Sequence, residues 1–336
     1  MNQESFVVDP RPAFPCFVSA IRYTPVRKST DISRQRGLSL ILLHAIGLHK
    51  ETWQPVVERM FDEASGEQNI CEAWSIEYPD HGQSAVINDE ILSSIPPGSW
   101  GPQNYADAIY SLITGMPGGH DLLQRDLVLV SHSFGAYISP FLLQAKPRIP
   151  FRSAILIDSY LCPPNKKRDT KGSGHIAFAL NRVASWANRA AAARHLARHP
   201  FTKPWTLASR DLFIRYGLRQ LKITQLPLAD AGEQGLELTC TREREAAMYH
   251  AGITDTEGIK KLEQLFSSAL PIHLIFCKDN GFENYQMEIN GKRPTSSHFV
   301  DMPHLCVQIC PADTAKMLVK FLNDVCSSTG AYQARL

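Results

Sequence analysis

Five short apolar runs constrain the fold of this chain more than any other feature. They lie at residues 38–43, 72–78, 126–130, 154–157 and 273–276, and stretches compatible with helices separate them. Runs of this length that alternate with helices are typical of a parallel sheet buried on both faces. The sequence therefore predicts an α/β protein with a mostly parallel central sheet flanked by helices.

One gap between these runs is much longer than the others. More than a hundred residues of mostly helical character separate Ile157 from His273. Apolar residues from His175 to His199 recur at a spacing of three to four, which predicts a single helix there. We therefore predict a helical lid inserted after the strand at residues 154–157, which we count as the sixth strand of the sheet. The predicted division is a core of residues 1–162 and 268–326, a lid of residues 163–267 and an exposed tail of residues 327–336.

Charge is unevenly distributed along the sequence. Residues 165–222 contain thirteen lysines and arginines but only two acidic residues, Asp169 and Asp211. Because the whole chain has a net charge of +2, this segment carries +11 and the remainder carries −9. Two interpretations stay open: the cationic face of the lid is solvated, or it attracts an anionic substrate or cofactor.

A turn between a strand and a helix carries the candidate nucleophile. Residues 127–137 read LVLVSHSFGAY, which is an apolar strand, the turn SHSFG and the start of a helix. A sharp turn exposes the Ser133 hydroxyl and aims the N–H of Phe134 at charge developing on a carbonyl oxygen. Gly135 is one of the two small residues that such a turn needs, and Ser131 stands where a glycine is usual. The pattern predicts Ser133 as a nucleophile.

Three further segments of the sequence accompany this turn. Two of them precede it and one follows it. HAIG at 44–47 follows the first apolar run, and YPDHGQS at 78–84 ends the second. Near the end of the chain, His304 precedes Pro311 by seven residues and then an amphipathic stretch. Together with the turn, these segments resemble the α/β-hydrolase superfamily over roughly residues 39–322.

This resemblance implies the α/β-hydrolase fold and a role for several residues. It implies that the backbone N–H groups of Ile46 and Phe134 form an oxyanion hole and that His304 is the general base. His44 is interpreted as a hydrogen-bonding residue of its own loop, and the YPDHGQS segment as structural. His298, the nearby alternative to His304, is interpreted as a strand residue.

Two aspartates are candidates for the acid that orients His304. Asp158 ends the fourth apolar run, 25 residues after Ser133. Asp279 follows the fifth run, the commoner location in the superfamily, but it stands one place early and Asn280 occupies the usual acid position. An amide does not stabilise an imidazolium as a carboxylate does. We therefore favour Asp158 and keep Asp279 as the alternative.

The chain is more narrowly similar to fungal peroxisomal α/β-hydrolases, which include AK-type toxin biosynthesis hydrolases, a peroxisomal lipase and a peroxisomal acyl-CoA hydrolase. This similarity implies a serine hydrolase that cleaves a lipophilic acyl ester or acyl-CoA thioester through an acyl-enzyme, in peroxisomal lipid or toxin and polyketide biosynthesis. It implies no cofactor and no metal. The residues that carry it are SFG at 133–135, Asp158, FIRYGLR at 213–219, LELTCTREREAAMY at 236–249 and Ala334-Arg335-Leu336.

The last three residues also predict a location and a partner. Ala334, Arg335 and Leu336 follow the small, basic, leucine pattern that the peroxisomal import receptor binds. We expect a peroxisomal protein, or a cytoplasmic one if this signal is not used. The N-terminal segment lacks the features of a secretory signal, and no apolar run approaches the roughly 20 residues that span a bilayer. Eight scattered cysteines without CxxC pairs predict reduced thiols.

A competing interpretation is a non-hydrolytic protein of this fold, either a ligand receptor or a cyclase or acyl-transfer auxiliary. Ala45, Ser131 and Asn280 are departures of the kind such a protein would show, whereas the presence of Ser133 and His304 favours an enzyme. Nucleic-acid binding through the basic lid lacks any supporting motif, so no nucleic-acid partner is expected.

Overall fold

An eight-stranded sheet forms the centre of the structure, a computed structural model that describes residues 1–26, 37–63, 70–159, 161, 166–221, 235–278 and 291–327. The strands of this sheet are β1 (Asn2–Val8), β2 (Val18–Thr24), β3 (Leu38–Leu43), β4 (Ile70–Ile76), β5 (Asp126–His132), β6 (Phe151–Ile157), β10 (Ile272–Cys277) and β11 (Ser296–Val300). Their order is β1-β2-β4-β3-β5-β6-β10-β11. The strands from β4 to β11 in this order pair in parallel, and β1 and β2 are antiparallel additions at one edge.

Each of the five predicted apolar runs lies mainly or wholly within a strand of this sheet. The prediction of a mostly parallel sheet is confirmed. The hairpin of β1 and β2 was not expected from the sequence, because most of β1 is exposed and its residues show no apolar run. His298 lies in β11, as predicted.

Helices cover both faces of the sheet. On β5, Leu127 and Leu129 face one hydrophobic cluster, while Val128 and Val130 face another, as the alternation of side chains along a strand requires. No helix among the described residues is long and apolar enough to cross a membrane. The helices outside the insertion are α1 (Gln54–Glu63), α2 (Gly82–Ile87), α3 (Asp89–Ser93), α4 (Pro102–Thr114), α5 (Phe134–Leu142), α11 (Cys306–Ile309) and α12 (Pro311–Ser327).

The insertion between β6 and β10 is only partly helical. Its elements are α6 (Lys166–Asn181), β7 (Ser185–Trp186), α7 (Arg189–Arg198), α8 (Leu207–Tyr216), β8 (Leu218–Gln220), β9 (Leu236–Leu238), α9 (Arg242–Thr254) and α10 (Glu257–Phe266). The three short strands form a second sheet in the order β7-β9-β8. We call residues 166–221 and 235–254 the lid.

The predicted single helix from His175 to His199 is wrong. The chain leaves α6 after Asn181, passes through β7 and starts α7 at Arg189. Asn188 has extended backbone, and its side chain accepts a hydrogen bond from the N–H of Ala191. An asparagine in that geometry begins a new helix, which the apolar spacing alone did not reveal.

The predicted lid range of 163–267 also contains a helix that packs with the core. Leu262 and Leu265 of α10 belong to the same hydrophobic cluster as α5 and the sheet. The lid has a separate cluster, which Leu48 and Leu305 from two core loops enter. The loops that follow β3 and β11 therefore contribute to the packing between the lid and the core.

Candidate active site

Ser133 lies in a strained turn between β5 and α5. Its backbone has φ 56° and ψ −110°, and its N–H donates to the carbonyl oxygen of Ile157 at 2.9 Å. The turn packs so closely on β3 that a Cβ built on Gly135 would lie 2.7 Å from the Cβ of Leu43 and 2.8 Å from its carbonyl oxygen. Only glycine fits there, and the strained backbone holds the Ser133 side chain at the edge of the sheet.

Ser131, which stands where a glycine is usual in this turn, is accommodated by a hydrogen bond. Its buried hydroxyl lies 2.8 Å from the hydroxyl of Ser139, which in turn donates to the carbonyl oxygen of Gly135. The side chain that replaces the usual glycine therefore has a polar partner inside α5, and the turn keeps its shape.

Three side chains form a hydrogen-bonded row at the carboxyl ends of the strands. His304, in the loop between β11 and α11, places Nε2 3.0 Å from Oγ of Ser133. Its Nδ1 contacts Oδ2 of Asp158, which follows β6. The structure thus brings together the three residues that the sequence favoured. The alternative acid Asp279, together with Asn280 and the terminal Ala334, Arg335 and Leu336, lies outside the described residues.

Asp158 is held in place by a second strand. The carboxylate is almost completely buried, and its Oδ1 accepts a hydrogen bond from the N–H of Cys277 in β10 at 2.8 Å. Its own N–H donates to Ile275 of the same strand. The backbone φ of +50° at Asp158 is an unusual value for a residue with a side chain. The two contacts fix one carboxylate oxygen and leave Oδ2 for the His304 ring.

His132, next to the candidate nucleophile, contacts the backbone of the His304 loop. Its Nε2 lies 2.7 Å from the carbonyl oxygen of His304, so this nitrogen carries the proton and donates it. Burial and the nearby His304 ring lower the pKa of His132 to about 3. The ring is therefore neutral near pH 7, and it positions the backbone of His304. The sequence analysis gave this residue no role.

The loop after β3 brings Ile46 beside Ser133. Ile46 and Phe134 both line the cavity that contains Ser133. Neither backbone N–H donates a hydrogen bond to another residue in the described part of the chain. Ala45, which stands where a glycine is usual, is buried in the hydrophobic cluster of the lid. The position of the two N–H groups fits an oxyanion hole, which stays a prediction.

Several buried polar groups fix this loop. The N–H of Gly47 donates to Nε2 of His81 at 3.0 Å, and Nδ1 of His81 donates to Asp80, which also accepts a bond from the hydroxyl of Tyr105. Burial acts to raise the pKa of Asp80, but its contacts with His81 and Tyr105 hold that pKa below its usual value. His44 contacts the carbonyl oxygen of Ala45 through Nδ1, as expected for a loop residue.

This arrangement gives the YPDHGQS segment a larger role than the sequence indicated. His81 accepts the N–H of the residue that follows Ile46, and the Asp80 carboxylate sets the tautomer that can accept it. His81 is 34 residues from Gly47 in the sequence. The one feature of the sequence that could have indicated this contact is that Asp80 and His81 are adjacent at the end of a predicted strand.

A cavity of about 610 Å³ separates the lid from this row of residues. From α6 and the residue just after it, Lys171, His175, Phe178 and Arg182 line the cavity at helical spacing. Burial, together with the charges of His304 and Lys171, lowers the pKa of His175. The apolar part of the wall includes Tyr137, Phe201, Trp205, Phe213, Met248 and Ile309. A mostly apolar cavity with a few charged groups is typical of a site that binds a small molecule.

No cluster of three His, Cys, Asp or Glu side chains able to hold a metal ion occurs among the described residues. The cysteines at positions 16, 71, 240, 277, 306 and 310 form no disulfide bonds.

Comparisons with known proteins identify the family and the fold of the chain. The sequence profile of the alpha/beta hydrolase family matches residues 40–286. The type I acyl-CoA thioesterase mpaH' of Penicillium brevicompactum is 30% identical over 175 residues, which is 52% of this chain and 38% of that protein. The thioesterase mpaH of Penicillium roqueforti is 28% identical over 58% of this chain and 43% of that protein. The matches thus cover about two fifths of the length of these curated relatives.

Solved structures show the same fold at low sequence identity. The peroxisomal α/β-hydrolase Lpx1 of Saccharomyces cerevisiae superposes with a TM-score of 0.73 and 14% identity, covering 97% of this chain and 89% of that one. The thioesterase domain from the curacin biosynthetic pathway has a TM-score of 0.62 and 13% identity, covering 95% of this chain and all of the other.

Proposed function

Because the chain belongs to the α/β hydrolase family, we propose that it is a serine hydrolase that cleaves a lipophilic acyl ester or acyl-CoA thioester through an acyl-enzyme. The observation that carries this proposal is the hydrogen-bonded row from Ser133 through His304 to Asp158, which faces a largely apolar cavity. That row has the three members of a catalytic triad in the chain order of this fold.

In the proposed mechanism, Nε2 of His304 takes the proton of Ser133 as Oγ bonds to the acyl carbon. The carbonyl oxygen becomes an oxyanion and accepts hydrogen bonds from the N–H groups of Ile46 and Phe134. Asp158 holds Nδ1–H and stabilises the imidazolium. His304 then gives its proton to the departing alcohol or thiol, and water cleaves the acyl-enzyme by the same steps.

The first test is the reactivity of Ser133. We expect Ser133→Ala to lower kcat on an octanoyl ester by about 10⁴ or more and to abolish labelling by a fluorophosphonate probe. The exposed Ser93→Ala variant is the control and should keep both properties. Undiminished turnover in Ser133→Ala would reject the proposed nucleophile, and absence of turnover and of labelling in the unmodified protein would favour the non-hydrolytic receptor instead.

Within this proposal we favour an acyl-CoA thioester over a neutral ester. Lys171 and Lys278 line the cavity, and the surrounding lid is strongly cationic, so phosphates of a CoA group would find positive charge at its edge. The curated relatives are acyl-CoA thioesterases, which supports the same choice.

The CoA assignment is tested by removing the phosphates from the substrate. We expect kcat/KM to be at least tenfold higher for octanoyl-CoA than for octanoyl-pantetheine, and this ratio to fall in Lys171→Gln and Lys278→Gln. Lys320→Gln, an exposed charge on α12, is the matched control and should keep the ratio. Equal rates on the two substrates would limit the proposal to acyl esters and simple thioesters.

We also propose that Ala334-Arg335-Leu336 directs the protein to peroxisomes through the import receptor. The likeness to the peroxisomal hydrolase Lpx1 supports this location. A fluorescent reporter that ends in these three residues should enter peroxisomes of a fungal cell, and the same reporter with Leu336→Asp should stay in the cytosol. A diffuse signal from both reporters would contradict the proposal.

A further inference from the structure

A buried ion pair lies in the wall of the cavity, next to the loop that carries Ile46. Arg182, just after α6, donates through Nη1 to Oε2 of Glu245 in α9 at 2.8 Å. The side chains are 12% and 3% exposed. Both residues line the same cavity as Ser133. The pair therefore places two opposite charges in a wall that is otherwise largely apolar.

Both members of the pair keep unused hydrogen-bonding capacity. Within the described residues, the bond to Arg182 is the one that the Glu245 carboxylate makes, so Oε1 has no donor. The guanidinium has five N–H donors and uses one of them here. A buried ion pair is costly unless further hydrogen bonds satisfy its remaining donors and acceptors. Because these groups border the cavity, a ligand in the cavity can supply the further hydrogen bonds.

The position of Glu245 relates this ligand group to the reacting carbonyl. A Cβ built on Gly47 would lie 3.2 Å from Oε1 of Glu245, so the carboxylate packs directly on Gly47. Gly47 follows Ile46, the residue whose N–H is proposed to bind the oxyanion. The ligand group that contacts Glu245 is therefore close to the scissile carbonyl rather than at the far end of the acyl chain.

The chemistry of the pair selects one kind of group. A carboxylate would be attracted by Arg182 but repelled by Glu245, and a ketone would accept from Arg182 but offer nothing to Glu245. A hydroxyl donates one hydrogen bond to the carboxylate and accepts another from the guanidinium. We propose that Arg182 and Glu245 recognise a hydroxyl group near the carbonyl of the acyl chain, which makes a hydroxyacyl ester or thioester the preferred substrate.

This assignment rests on the proposed hydrolase function and is tested with substrates that share one leaving group. We expect kcat/KM for 3-hydroxyoctanoyl N-acetylcysteamine to exceed that for octanoyl N-acetylcysteamine by at least tenfold, because a site built for a hydroxyl discriminates strongly against its absence. The 8-hydroxyoctanoyl thioester, with its hydroxyl at the far end, should show no such gain. Equal rates on the 3-hydroxy and unsubstituted thioesters would overturn the assignment.

Variants separate recognition by this pair from a general effect on the lid. In Arg182→Leu/Glu245→Leu the ratio of the two kcat/KM values should fall to about one. Arg219→Leu/Glu237→Leu removes another ion pair of the lid, at 2.7 Å, that does not line the cavity, and it should keep the ratio of the unmodified protein. An unchanged ratio in the first double variant would also overturn the assignment.

A binding measurement distinguishes failure of this assignment from failure of the hydrolase function. By calorimetry, Ser133→Ala should bind 3-hydroxyoctanoate at least tenfold more tightly than octanoate. If the unmodified protein hydrolyses no acyl substrate but this preference in binding persists, the hydroxyl site stands and the hydrolase proposal fails. If the two acids bind equally, the hydroxyl site is rejected.

Discussion

Asp158 contacts two partners with its two carboxylate oxygens, and this division makes its role testable. Oδ1 accepts the N–H of Cys277, and Oδ2 contacts Nδ1 of His304. In Asp158→Asn, the amide oxygen would keep the contact with Cys277 and the NH₂ group would face His304. An N–H donor that faces Nδ1 of His304 favours the tautomer with its proton on Nε2, and this tautomer cannot accept the proton of Ser133.

We therefore expect Asp158→Asn to lower kcat by about 10³ to 10⁴ with little change in KM. Asp279→Asn, which alters the alternative acid, is the matched control and should change kcat by less than about threefold. Steady-state kinetics on one acyl substrate measures both variants. The opposite result, a large loss in Asp279→Asn alone, would assign the acid to the end of β10.

The lowered pKa of the buried His132 ring should make the stability of the protein depend on pH. The unfolded chain binds a proton at this histidine below about pH 6.5, whereas the folded protein binds it only near pH 3. Stability conferred by the neutral ring is therefore lost as pH falls through this window, by up to about 1.4 kcal/mol per pH unit.

We expect His132→Asn to flatten the fall of Tm between pH 6.5 and 4, measured by circular dichroism. The exposed His250→Asn variant should keep the slope of the unmodified protein. A slope that is the same in all three proteins would show that His132 does not contribute to acid destabilisation.

The sequence located some of these residues and missed others for a physical reason. Ser133, Asp158 and His304 were recognisable because each follows a predicted strand or precedes a terminal helix, so local patterns carried the signal. Arg182 and Glu245 are 63 residues apart and meet only in the folded lid. No local pattern distinguishes their charges from the many others on the lid.

At the scale of secondary-structure elements, the turn from β5 to α5 packs closely against the central strand β3. The built Cβ of Gly135 meets both the side chain and the backbone of Leu43, and backbone atoms of a central strand cannot move aside cheaply. We expect Gly135→Ala to lower the free energy of unfolding by about 1–3 kcal/mol and to reduce kcat, because the turn must shift.

Gly174→Ala is the matched control for this substitution. Gly174 lies in α6, and a Cβ built there meets no atom within 4 Å. Alanine at that position should raise the free energy of unfolding by about 0.5–1 kcal/mol. Urea unfolding of both variants checks the pair, and a Gly135→Ala protein as stable as the unmodified one would contradict the packing argument.

The lid shows where periodicity fails as a guide to helices. The apolar positions from His175 to His199 fit one helix, yet Asn188 caps a new one and Trp186 pairs with Leu236 in a short strand. Leu236 is 50 residues further along the chain, so the pairing leaves no trace in local spacing. The parallel strands were easier to predict, because a strand buried on both faces is apolar at nearly every position.

For the molecule as a whole, the lid and the site share one hydrophobic cluster. Leu48 follows the Ile46 loop and Leu305 follows His304, and both pack with lid residues such as Leu196. The lid and the two loops should therefore lose their structure together.

Leu196→Ala tests this coupling. Leu196 is 2% exposed and does not line the cavity that contains Ser133. Its truncation should lower the free energy of unfolding by about 2–5 kcal/mol, because it leaves a void inside the lid. We expect the loss of activity and the change in tryptophan fluorescence to occur at the same urea concentration, which should be lower than in the unmodified protein. Leu207→Ala, at a position 68% exposed, should leave the midpoint unchanged. A lid that unfolds while activity persists would contradict the coupling.

The exposure of His304 bears on the order in which products depart. Its side chain is 48% exposed, whereas Asp158 behind it is 2% exposed. In the proposed mechanism, the group that receives its proton from this ring lies beside solvent, so its size is not bounded by the cavity. The acid formed afterwards must escape from among the aromatic side chains of the lid. We therefore expect large alcohols and thiols to be released first, and the exit of the acid to set the turnover rate.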